Sequence, residues 1–160
     1  MRGAWGLGLV VAAGLILGGP GRGLAQKDGT RDVFLQTIGL LAGQGLVVGH
    51  ESLEGLAARF EKRQMPKDKA LEALSAARRY AELVLSAFSN RLMGQLTDEE
   101  KKDLKLLIGF YETQRGAIVA LTDYVRLGGA KNREAFEEMQ GRVAAIIRQI
   151  TLPAGTKPAS

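Results

Sequence analysis

Residues 97–129 read TDEEKKDLKLLIGFYETQRGAIVALTDYVRLGG, and this stretch decides the fold class. Thr97 followed by Glu100 is a capping box, in which the threonine oxygen accepts the Glu100 amide while the carboxylate reaches back to the Thr97 N–H. Asp98 and Glu99 add negative charge at the end of the helix where the dipole favours it. Leu104, Ile108, Tyr111, Ile118, Leu121 and Val125 then recur with helical period, and Gly128-Gly129 stops the segment. A helix this long with one apolar stripe must bury that stripe against other helices.

Three more segments share that period. The first spans about Thr30 to Arg63, with Phe34, Ile38, Leu41, Val48, Leu56 and Phe60 as its stripe. Pro66 opens the second, a position suited to a first helical turn. Its stripe is Leu71, Leu74, Ala77, Ala81, Val84, Phe88 and Leu92, with Gly94 as the stop. The fourth begins near Asn132, carries Phe136, Met139, Val143, Ile146, Ile147 and Ile150, and closes at Pro153. No strand alternation interrupts them. Short connections between successive amphipathic helices favour antiparallel neighbours, so the expected fold is all-α, an up-down-up-down four-helix bundle. The alternative is three long helices with the glycine-rich first segment broken in two.

Upstream of the bundle, the chain begins MRGAWGLGLVVAAGLILGGPGRGLAQ: one positive charge at Arg2, an uncharged run over residues 3–19, then Pro20 and Gly21. Gly23-Leu24-Ala25 offers small residues where a signal peptidase reads them, so residues 1–25 are expected to be a cleaved signal peptide. An uncleaved anchor is the alternative, though the run is short for a span of about 20 residues. The bundle domain then covers 26–152, and the tail 153–160, PAGTKPAS, is expected to be disordered. The expected location is the periplasm or the outside of the cell. With no cysteine, the exported chain has neither a disulfide nor a lipid-bearing cysteine and relies on its core.

Cleavage removes Arg2 and Arg22 and no acid, so a net charge of +5 becomes +3. Basic residues interleave with acids along the chain (EKRQMPKDKALE, TDEEKKDLK, NREAFEEMQGR), the pattern of solvated helix faces. No nucleic-acid partner is expected, and membrane association is expected only if the leader is retained.

Candidate chemistry is sparse. The only histidine, His50, lies in GHESLEG, where His50 and Glu54 stand one helical turn apart. Zinc wants three or four ligands rich in histidine or cysteine, and the chain has no more to offer, so no metal site is expected. There is no nucleophile elbow, phosphate loop or haem-attachment motif, and the expectation is a protein without catalytic residues or cofactor.

Two features stand out nonetheless. Gly39, Gly43, Gly45 and Gly49 fall within eleven residues, each costing a helix about 0.5–1 kcal/mol relative to alanine, so close approach of a neighbouring helix is expected there. Membrane helices use the same spacing, and residues 33–49 carry no charge, although Gln36, Thr37 and Gln44 interrupt the run. Second, Arg115 follows Tyr111 on the line Leu104, Ile108, Tyr111, Arg115, Ile118, which places a guanidinium on the core seam. In an up-down bundle the first and third helices run parallel, bringing Gln44, His50 or Glu51 to the height of Arg115. Gln44, His50, Glu51, Tyr111 and Arg115 therefore form either a polar core layer or a pocket for an anionic or amphipathic ligand.

Leu96-Thr97-Asp98-Glu99-Glu100 resembles the Leu-Thr-x-x-Gln signature of small periplasmic helical chaperones, over five residues and with Glu100 in place of glutamine. The capping box accounts for the same residues, and no membership is read from the likeness. The expected function is non-covalent interaction with envelope proteins, accessory or chaperone-like; the alternative is a ligand-binding bundle with a pocket near Tyr111 and Arg115.

Overall fold

The computed structural model describes residues 29–151 of the chain. The leader, its cleavage point and the tail 153–160 lie outside the described residues. Four long helices follow one another: α1 Gly29–Glu61, α2 Lys67–Ser86, α3 Asp98–Leu127 and α4 Ala130–Thr151. After Ser86 the second helix widens into a π-helical stretch, Ala87–Leu92, and tightens into a single 3₁₀ turn, Met93–Gln95. The described residues include no strand.

Local chemistry explains each boundary. Between α1 and α2, Arg63 takes the left-handed conformation (φ 57°), with Gln64 N–H donating to Arg59 O at 2.8 Å and Arg63 N–H to Phe60 O at 2.9 Å. That Schellman-type closure usually uses glycine, so the arginine pays about 1–2 kcal/mol of backbone strain for it. The Thr97 capping box forms as its residues dictate: Thr97 N–H donates to the Glu100 carboxylate at 2.6 Å and Glu100 N–H to Thr97 Oγ1 at 3.4 Å. Between α3 and α4 the reversal takes two consecutive residues at positive φ, Gly128 and Gly129 (66° and 84°), which only glycines adopt freely.

α3 is the axis of the bundle, touching each of the other three helices. α1 runs parallel to it: Arg31 meets Glu100 (2.8 Å) near the start of both, and Glu61 meets the Tyr124 hydroxyl near the end (3.4 Å). α2 and α4 run the other way, with Lys67 Nζ donating to Arg126 O and Arg133 pairing with Glu61. Two apolar clusters fill the interior. One gathers Leu35, Leu46, Leu85, Phe88, Leu104 and Leu107 at the α3 N-terminal end, and the other Leu53, Leu74, Leu121, Val125, Phe136 and Val143 at the far end.

Two expectations need correction. The first helix does not break: α1 runs unbroken through all four glycines, so the three-helix alternative does not hold. Its inward face is only in part the stripe read from the sequence: Leu56 is buried and Ile38 and Phe60 pack against the core, but the other three members turn outward. Phe34, Leu41 and Val48 are 61%, 60% and 52% exposed, whereas Leu35, Ala42, Leu46 and Leu53 are buried. The buried and exposed rows both carry leucines, so side-chain size within α1 does not distinguish them.

Candidate functional site

The glycines of α1 mark where α3 presses closest. A methyl group placed on Gly45 would stand 2.6 Å from the Tyr111 hydroxyl, and one on Gly49 would overlap the Gln114 side-chain amide. Both α3 groups use the gap to reach the α1 backbone. The Tyr111 hydroxyl donates to Ala42 O at 3.0 Å, and Gln114 Nε2 donates to Leu46 O at 3.3 Å. Two hydrogen bonds and close contact therefore compensate the helix propensity that the glycines forfeit. Gly43 faces the Ile150 methyl instead.

Tyr111 is 1% exposed and Gln114 4%, so both are core residues with polar ends. The Tyr111 ring also meets Phe88 edge-on, with centroids 5.9 Å apart. Burial, with a smaller contribution from the neighbouring Tyr80 phenol, pushes the Tyr111 hydroxyl up to about 12. On the α4 side, His50 Nδ1 lies 2.6 Å from Gln140 Oε1. His50 Nε2 lies 3.5 Å from the Glu54 carboxylate. Gln140 is itself buried, and its Nε2 meets no acceptor. Tyr111, Gln114, His50 and Gln140 thus form a polar layer across α1, α3 and α4, between the two apolar clusters.

Of the five residues singled out from sequence, His50 and Tyr111 belong to this layer. Gln44, Glu51 and Arg115 do not: all three are exposed. The Arg115 expectation fails for a geometric reason. Leu104, Tyr111, Ile118 and Val125 recur every seven residues, and the seam can be completed through 108 and 115 or through 107, 114 and 121. The second set is the buried one, so Gln114 points inward and Arg115 falls one position round the helix. Neither Tyr111 nor Arg115 lines the groove between α1 and α2. Gln114 and Gln140 were missed, although the steps 104, 107, 111, 114, 118, 121, 125 were a readable signal.

Two open features of α1, a groove and an exposed apolar face, adjoin at Val48. A groove of about 420 Å³ runs between α1 and α2 with Gln114 and Ile118 among its lining residues. The outer face of the first half of α1 exposes Val33, Phe34, Leu40, Leu41 and Val48, each by half or more. Among the described residues, no three His, Cys, Asp or Glu side chains converge as a metal site. No protein-family model matches the chain, nor does any curated protein or any solved structure.

Proposed function

We propose that this is an exported accessory protein that works by contact, binding another envelope protein through the outer face of the first half of α1. The observation that carries the reading is that face itself: Val33, Phe34, Leu40, Leu41 and Val48 expose large apolar side chains within a stretch, 33–49, that contains no charge. Apolar residues scattered singly over a surface are ordinary, but a contiguous row of them on one helix is the signature of an interaction site. Phe34, Thr37, Leu41, Gln44 and Val48 also follow alternating steps of three and four, the spacing with which one helix packs against another. An apolar leader and the absence of cysteine support the envelope as the setting.

The test is site-specific photo-crosslinking in the native cells, with the reactive amino acid at 34, 41 or, as a control on an exposed face, at 102. A discrete adduct with one envelope protein is expected at 34 and 41 and not at 102. It should disappear in the double substitution Leu40→Glu with Leu41→Glu, whose melting temperature should stay near that of the parent because both side chains already face water. No adduct at 34 and 41, equal adducts at all three positions, or adducts to lipid alone would overturn the reading.

A further inference from the structure

α1 and α2 are joined by five residues but touch each other sparsely, because both lean on α3. Tyr111 and Gln114 fix α1 against α3, and between α1 and α2 a groove remains whose walls mix small residues with Leu53, Leu56 and Tyr80. Gly49 and Ser52 on one side face Ala73 and Ala77 on the other, and Ile118 lies in the same groove. The groove follows α1 from Gly45 to Arg59, which at a rise of ~1.5 Å per residue is about 21 Å. It encloses about 420 Å³ and opens to solvent along Ser52, Ala73 and Tyr80. One extended hydrocarbon chain fits lengthwise along such a groove.

Charge distinguishes the two ends. Arg59 lines the groove and forms no ion pair among the described residues; its Nε donates only to Gly55 O of its own helix, at 3.2 Å. Of the nearby acids, Glu54 lies beside His50, and Glu61 pairs with Arg133 and accepts from the Tyr124 hydroxyl. Lys62 and Arg63 follow Arg59 at the turn. A guanidinium without a carboxylate, at one end of a long apolar groove, matches a ligand with an anionic head and one unbranched tail. We infer that the α1/α2 groove binds a free fatty acid, with its chain between the small residues and its carboxylate on Arg59.

The experiment titrates the purified full chain with laurate below its micelle concentration, following heat and the amide resonances of a ¹⁵N-labelled sample, with lauryl alcohol and a lysophosphatidylcholine as comparison ligands. Laurate is expected to bind one-to-one and to shift Gly45, Gly49 and the Gln114 side-chain amide. Ala77→Leu and Ala73→Leu each fill the groove and should weaken laurate by about tenfold or more, with thermal melting confirming that the variants remain folded. Arg59→Gln should weaken laurate about tenfold while leaving the alcohol unchanged. The inference is overturned if no saturable binding occurs, if neither alanine variant alters it, or if Leu41→Glu abolishes it, which would put the ligand on the outer face of α1. Lysophosphatidylcholine binding as tightly as laurate, with Arg59→Gln indifferent to both, overturns the carboxylate assignment.

Discussion

Gly49 and Gly55 lie six residues apart on α1, and an added methyl group would have opposite effects at the two positions. At Gly55 it meets nothing within 4 Å, so Gly55→Ala should stabilise the protein by about 0.5–1 kcal/mol through helix propensity. At Gly49 it collides with the Gln114 amide and drives it off the Leu46 carbonyl, leaving a buried donor without an acceptor. Gly49→Ala should therefore destabilise by about 1–3 kcal/mol in urea unfolding, and most of that loss should vanish in a Gln114→Ala background. Tyr111 offers a second measurement at this scale. Its hydroxyl is pushed up to about 12 from an ordinary 10.0, chiefly by burial, so the folded state favours the neutral phenol. That contribution is complete below pH 10 and lost as pH rises toward about 12; Tyr111→Phe should flatten the alkaline limb of the stability curve while losing about 0.5–1.5 kcal/mol at neutral pH.

Among the elements, α3 has the most local instruction, and its start can be tested directly. Burial alone would raise the Glu100 carboxyl, but the hydrogen bonds from the Thr97 N–H and hydroxyl, and the Arg31 guanidinium, outweigh it and hold the group below its ordinary 4.5. A depressed carboxyl stabilises the fold at pH above that ordinary value and ceases to do so as pH falls through the lower folded value. Glu100→Gln should therefore remove part of the acid sensitivity seen below about pH 4.5, and Thr97→Ala should cost about 1 kcal/mol at neutral pH. α3 was legible because its cap, charges and stop lie within its own sequence, as does the stripe of α2, though Gly94 stops nothing: it lies inside the 3₁₀ turn Met93–Gln95 that follows the π-helical stretch. α1 was legible as a helix but not in its orientation. Its inward face is chosen by Tyr111 and Gln114, 69 and 68 residues beyond the carbonyls they bind, and no periodicity within α1 announces them. The seam of α3 was half legible: Tyr111 is common to both ways of completing it, and only the packed structure selects Gln114 over Arg115. Nothing local could announce the groove, since it arises from what α1 and α2 fail to fill.

For the molecule as a whole, the position of α3 sets a hierarchy of protection. Its residues 104–125 are covered by three helices, whereas the first half of α1 rests on the bundle by one face only. Amide hydrogen exchange at neutral pH should follow that order, slowest in the middle of α3 and faster by an order of magnitude or more between residues 33 and 41. The long reach between the glycines and their partners also concerns the protein while it is being made. Synthesis proceeds from the N-terminus at roughly 5–20 residues per second, so Ala42 waits about 3–14 s for Tyr111, 69 residues later, to leave the ribosome. Through that interval residues 33–49 have neither charge nor partner. Glycine is among the poorest strand formers, and four glycines spaced through this stretch weaken any pairing between nascent copies. The gaps that later admit a tyrosine and a glutamine first keep an unfinished chain apart from its neighbours.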